Sequence, residues 1–276
     1  MALRIVLALV LALFAGEAAA QTPSPLAYWQ YSVGELLGAN EKMKEPGANP
    51  WDFTVGGGAM GVPKFEGAKH YQGEPSLILD ARYKDIFFAS DGEGVGVNLV
   101  HGQNYRAGVA IGYDLGRDQH DDARLKGLGN VGAAPEGKLF AEYFLLPVML
   151  TATVHQAVGG HNGLLADLGA YIPLPFFGEK LIVFTGPTVT FANGEYMRSY
   201  FGVSARQAAA TAFPQFSAHG GFKSTGWGAT AVYRIDDHWL LESDIAYERL
   251  IGDAADSPIV ELRSQVAVGL NLGYRF

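Results

Sequence analysis

The chain contains no cysteine, and after Ala20 it has no apolar run approaching 18 residues. The first absence excludes a disulfide framework and a lipidated cysteine. The second excludes a membrane-crossing helix, which needs about 20 consecutive, mostly apolar residues. Charge is also scarce. Asp, Glu, Lys and Arg make up 17% of the 276 residues, and the formal net charge is -8. Without a basic stripe to follow a phosphate backbone, nucleic acid is not an expected partner. No exact tandem repeat, coiled-coil heptad or low-complexity tract is present.

What is present is hydrophobicity in dispersed form. The chain is 49% hydrophobic and carries 36 glycines. Residues 1–20 read as a cleaved signal peptide: Arg4 supplies the positive start, Ile5 to Phe14 the apolar core, and Ala18-x-Ala20 the small-residue cleavage site. Residues 21–50, rich in Pro, Ala, Gly and mixed charge, read as a periplasmic lead-in with a short helix around Val33 to Lys42. Residues 51–276 read as one domain.

In that domain apolar side chains fall at alternate positions, the period of an extended strand. From Val266 to Phe276 one face carries Val266, Val268, Leu270, Leu272, Tyr274 and Phe276, and the other Ala267, Gly269, Asn271, Gly273 and Arg275. Tyr105 to Gly116, Trp227 to Ile235 and Trp239 to Leu250 repeat the pattern. A soluble terminal strand of this kind would expose an aromatic edge to aggregation. In a membrane barrel both edges are paired and the oily face meets lipid. Further strands are expected at Asp52 to Val62, Ser76 to Tyr83, Ile86 to Ser90, Val95 to Val100, Leu139 to Pro147, Met149 to Gln156, Leu164 to Pro173 and Leu181 to Phe191. The fold class is therefore all-β, a closed antiparallel transmembrane barrel of about twelve strands, with ten as the alternative. Longer connections at Arg117 to Lys138, Glu195 to Ala218 and Asp253 to Val260 are expected at one end as extracellular loops, opposite both termini. Ser204 is a plausible N-cap for a short helix over Ser204 to Thr211.

The same alternation turns Asp80, Arg82, Asn98, Arg106, Asp114, Arg234, Glu242, Asp244, Glu248, Asn271 and Arg275 inward. Two readings stay open for this candidate lumen network. The charges pair and fill the barrel, or they line a narrow path for small solutes. In the first reading Arg106, Arg234 and Arg275 find carboxylates among Asp80, Asp114, Glu242, Asp244 and Glu248, since an arginine fork matches a carboxylate.

Enzyme chemistry has little support. No Gly-x-Ser-x-Gly elbow exists, and His155 and His161, flanking a Gly-Gly turn, read as loop-tip residues. His120-Asp121-Asp122 matches no recognised zinc spacing, and Asp253 with Asp256, which invite a calcium reading, read instead as an Asx-type turn beside Pro258. Gly56-Gly57-Gly58 and Gly94-x-Gly96 do not sit between a strand and a helix, as a phosphate loop must. No catalytic, cofactor or metal site is assigned, and no cofactor is expected.

Several motifs together resemble the MltA-interacting protein family, also called MipA/OmpV, of Gram-negative outer membranes. They are Tyr113-Asp114-Leu115-Gly116-Arg117 with Leu125-Lys126-Gly127-Leu128-Gly129, Tyr200-Phe201-Gly202-Val203-Ser204, Gly220-Gly221-Phe222-Lys223, His238-Trp239, and Tyr247-Glu248-Arg249-Leu250 leading to the loop Gly252-Asp253-Ala254-Ala255-Asp256-Ser257-Pro258. The ending at Tyr274 and Phe276 resembles the C-terminal insertion signal of such proteins, which implies the barrel-assembly machinery as a partner. The resemblance implies an outer-membrane location among lipid and lipopolysaccharide. It also implies a non-enzymatic scaffold that binds a lytic transglycosylase and a bifunctional penicillin-binding protein during peptidoglycan growth. A small-solute channel or sensor is the alternative.

Overall fold

The computed structural model describes residues 50–276 apart from Asp85, Gln103, Leu146 and Glu179. The signal peptide, its cleavage site and the lead-in helix lie outside the described residues. Twelve antiparallel strands close into a barrel: β1 (Trp51–Pro63), β2 (Tyr71–Tyr83), β3 (Phe87–Ser90), β4 (Gly94–His101), β5 (Tyr105–Asp114), β6 (Ala134–Leu145), β7 (Val148–Ala157), β8 (Leu164–Phe176), β9 (Leu181–Ala192), β10 (Gly221–Arg234), β11 (Trp239–Leu250) and β12 (Ser264–Arg275). Each strand pairs with its sequence neighbours, and β12 returns to β1. That seam runs from Thr54↔Arg275 to Gly61↔Val268. It pairs the first strand with the last, so neither terminal edge is left open to hydrocarbon.

Close approach at the seam explains the glycine run. A Cβ on Gly58 would stand 1.9 Å from the Leu270 carbonyl oxygen, so only glycine fits. Gly94 turns the β3–β4 hairpin at φ +89, in the left-handed region open to glycine. The outer face is apolar. Val266, Val268, Leu270 and Leu272 are exposed while Gln265, Ala267 and Asn271 are buried. Aromatic residues gather near both ends of this band, Tyr105, Tyr143, Tyr233, Trp239 and Phe276 at the end of the termini and Tyr71, Tyr113, Phe191 and Phe222 at the other.

Three connections, 115–133, 193–220 and 251–263, leave the end of the barrel opposite β1's start and β12's finish. They contain α1 (Gly194–Phe201), α2 (Ala205–Ala210), α3 (Gly252–Asp256) and a 3-10 turn at Ala123–Leu125. α1 is capped by Asn193, whose side chain accepts from the Tyr196 amide. Ser204 caps α2 in a reciprocal box with Gln207.

Several strand bounds differ from the expectations. β2 begins five residues before Ser76 and runs through Pro75. β6 begins at Ala134, before Leu139, and includes Pro135; β10 begins at Gly221, before Trp227. Proline hides the first two. In β10 a register shift between Phe222 and Ser224 breaks the alternation from which the strand was read.

Candidate functional site

The barrel interior is filled in tiers. Nearest the termini, Arg275 forks onto Asp52 of β1, with Nε 2.9 Å from Oδ1. Beside it a pocket of about 320 Å³ is lined by Lys180, Arg234, Asp236, Asp237, His238 and Trp239. Asp236 is largely committed to its own turn, accepting from the His238 and Trp239 amides, and those two bonds hold its carboxyl below the usual range.

Above this lies a charge belt. Arg106 meets Glu142 through Nε at 2.6 Å and Glu93 through Nη2 at 2.7 Å, while Arg82 bridges Asp80 and Glu93. The guanidinium of Arg106 also stands 5.0 Å from the Phe140 ring centre. At mid-height Thr230 donates to Asp244 at 2.6 Å and Asn271 donates to Glu242 at 3.1 Å.

The expected partners of the arginines are thus corrected. Arg106 is held by Glu93 and Glu142 and Arg275 by Asp52, none of which was anticipated; Arg234 lines the mouth pocket. Asp80 takes Arg82 instead, and Glu242 and Asp244 pair with neutral donors. Glu93 comes from a turn and Asp52 from across the seam, so alternation within one strand gives no sign of either.

Two apolar clusters line the inner wall. Ile78 of β2 joins Ile182 and Phe184 of β9, Val232 of β10 and Leu240 of β11. Met149, Tyr171 and Ala246, with Phe144 against them, link β7 and β8 to β11. Ile78 and Leu240 meet over Gly56 and Gly273, Val232 pairs with Ile182, and Gly186 and Gly228 lie between Tyr171 and Ala246, so each cluster follows the wall across neighbouring strands. These side chains thicken the inner wall and narrow the lumen.

The far end carries a second polar tier beneath the loops. Lys223 is fully buried, with its ammonium on Glu66 from the β1–β2 loop and on Glu248 of β11 at 3.1 Å. Burial pushes the Glu66 carboxyl up to about 7; Lys223 opposes the shift and Glu248 reinforces it, because one cation serves two carboxylates. His155 is in β7 and faces inward between Asp167 at 3.2 Å and Glu136 at 3.7 Å. His161 is buried too, donating to Asp114 at 2.9 Å while its other nitrogen accepts from the Gly163 amide. Neither is the loop-tip residue expected; His155 shares the inward parity of Met149, which could have revealed it.

The loops lock over this tier as a cap. Asp114 also accepts from the Tyr200 hydroxyl at 3.0 Å, and Arg117 donates to the Tyr200 carbonyl at 2.7 Å. Tyr196, Met197, Tyr200 and Phe201 of α1 pack with Leu165, Leu250 and Ala254. Phe65, Leu125, Leu128, Val203 and Ile259 form a second core. The Gly252 to Pro258 motif works within it. Gly252 adopts φ +53, Asp253 accepts from the His219 amide, and Asp256 faces Arg263. Ser257 donates to the Phe201 carbonyl at 2.6 Å, and the Pro258 carbonyl accepts from Arg124. Asp253 and Asp256 therefore serve different partners. Among the described residues no three His, Asp or Glu side chains converge to hold a metal ion. Tyr274 stacks against His238 and meets the Phe276 ring edge to face, and the Phe276 amide donates to the Phe53 carbonyl at 3.0 Å, so the last two aromatic residues finish the seam.

A family model described as MltA-interacting protein MipA matches residues 55–276. Outer membrane protein OmpV of Vibrio cholerae is 28% identical over 191 residues, covering 69% of each chain. Outer membrane protein Omp26La of Vibrio anguillarum is 27% identical over the same length and coverage. Among solved structures the NanC porin aligns with a TM-score of 0.42 at 9% identity, covering 81% of this chain and 98% of that one, which is too distant to bear on function.

Proposed function

The chain belongs to the MltA-interacting protein family of outer-membrane barrels, and on that premise we propose that it is a non-enzymatic platform for peptidoglycan-remodelling enzymes. Its partners on this reading are a lytic transglycosylase and a bifunctional penicillin-binding protein. The observation that carries it is the packed cap that covers the outer end, above a lumen lined by paired charges and apolar side chains. A barrel capped in this way offers surfaces rather than an open path, which disfavours the small-solute channel. A catalytic reading gains no support from the buried histidines, whose ring nitrogens are engaged by Asp167 and Glu136 at His155 and by Asp114 and the Gly163 amide at His161.

A periplasmic partner cannot touch the cap. Its contact surface is the rim bearing Asp236, Asp237, His238 and Trp239 with the mouth pocket behind it, together with residues 21–50. The test is capture of a purified lytic transglycosylase by the folded barrel. Removing residues 21–49 behind an intact signal peptide, or replacing Asp237 and His238 by Ala, is expected to abolish or sharply weaken capture while heat-modifiable migration persists. Undiminished capture by both variants would remove the physical basis of the reading.

A further inference from the structure

One side of the barrel wall is incomplete. β3 and β4, four and eight residues long, stand between β2 and β5, which are thirteen and ten residues long. β3 reaches only Asp80–Tyr83 of β2, and β4 pairs with β5 no higher than Ile111. Above the hairpin tip at residues 91–93, among the described residues, no ladder joins β2 to β5. Two strand positions are left unfilled. The loop above frames the gap, with His70 and Asp122 bonded at 3.0 Å.

The direction of the free backbone is fixed. The Asp91 amide donates to the Leu79 carbonyl, and the Leu79 amide donates to Asp91 Oδ1, both at 3.0 Å. Peptide groups alternate sides along a strand, and the β1–β2 register runs unbroken from Trp51↔Tyr83 to Pro63↔Tyr71. Leu77, Pro75 and Gly73 therefore aim their backbone groups into the gap. Pro75, which has no amide hydrogen to lose, occupies the edge position where proline is tolerated. By the same parity, set by the Gly102 amide on the Tyr105 carbonyl, Tyr113 faces the gap from β5. The outward side chains are apolar, with Leu77 60% and Ile111 65% exposed, and Tyr71 and Tyr113 stand at the outer girdle. Glu74 and Ser76, on the inner face of β2, are buried, so the gap is an external cleft and not a hole into the lumen.

We propose that this cleft seats an outer-leaflet lipid whose acyl region carries amide and hydroxyl groups, the chemistry of a lipopolysaccharide anchor. In hydrocarbon the free amides of Gly73, Leu77 and Tyr113 and the carbonyls of Gly73, Pro75 and Leu77 need partners. The tails of a diacyl phospholipid offer no donors. A β-strand from another chain would supply both kinds of group, but the missing donor at Pro75 interrupts such a ladder midway. An acyl amide or hydroxyl just beneath the headgroups supplies donors and acceptors at the required depth, and its chains suit Leu77 and Ile111.

The experiment is residue-resolved hydrogen exchange on the full chain refolded into phosphatidylethanolamine/phosphatidylglycerol vesicles with and without lipopolysaccharide. The amides of Gly73, Leu77 and Tyr113 are expected to exchange at least tenfold more slowly with lipopolysaccharide, while those of Ser76 and Ile78, bonded to β1, do not change. Equal rates in the two membranes would overturn the proposal. So would protection that grows with protein density in phospholipid alone, which would identify a second copy as the occupant. As an independent check, G73L places its side chain on the outer face, where a Cβ meets no atom within 4 Å. It should fold normally and retain at least threefold less lipopolysaccharide per barrel on purification; unchanged retention would also overturn the assignment.

Discussion

Ile78 and Leu240 lie together over Gly273: a Cβ there would meet Leu240 Cδ1 at 2.8 Å and Ile78 Cδ1 at 3.4 Å. β2 and β11 are separated by β1 and β12, so this contact is made inside the barrel, over two strands that give way by carrying Gly56 and Gly273. Phe184 of β9 belongs to the same buried cluster. Phe184→Ala should therefore lower the unfolding free energy by about 3–5 kcal/mol, the cost of emptying a packed aromatic site. Urea titration of the barrel in vesicles measures this, and a loss well below 1 kcal/mol would mean that the cluster is not packed.

Glu66 makes the cap sensitive to pH. Its carboxyl is raised from 4.5 to about 7, so the neutral form suits the folded state. For a raised folded value, the stabilisation is complete below the unfolded value and fades as pH rises through the folded one. Cap stability, followed by proteolysis of the outer loops, should fall as pH rises from 4.5 to about 7 and level off above that. Glu66→Gln should flatten that dependence while leaving Lys223 its bond to Glu248.

Ser257 ties the third long loop to the second. Ser257→Ala leaves the buried Phe201 carbonyl without its hydroxyl donor, at a cost of about 1–3 kcal/mol. External protease should then cut the 193–220 loop sooner, with the barrel intact. Unchanged cutting would place the cap's strength in its apolar cores alone.

Arg275 and Asp52 clamp the seam beside the chain's end. Single substitutions of either by Ala should slow appearance of the folded, heat-modifiable form, and the double substitution should cost less than the sum, because the pair acts as a unit. Deleting Phe276 removes an amide bonded to the Phe53 carbonyl and an aromatic ring packed on Tyr274, and should also lower assembly. Normal assembly without Phe276 would count against its role as an insertion signal.

The barrel was legible in the sequence because lipid imposes one rule on every outward side chain. Alternation from Val266 to Phe276 gave the face, the length and the closing position of β12. Ser204 announced α2, whereas α1, capped by Asn193, carried a weaker signal among glycine and aromatic residues. The interior was less legible. Inward direction follows from parity, but partnership depends on which strands and loops meet, and Glu66, Glu93 and Asp52 arrive from a loop, a turn and the far side of the seam. Lys223 was hidden by the irregularity in β10, and the start of β2 by Pro75, which the unpaired edge accommodates.

The capped interior is tested most directly by planar-bilayer recording from the purified full-length barrel. With Ile78, Phe184 and Leu240 narrowing the lumen from the wall and the packed cap covering the outer end, the expected record is a flat baseline without discrete steps. Regular, voltage-independent conductance steps from the unmodified protein would contradict a capped, narrowed interior and restore the solute channel as the leading function.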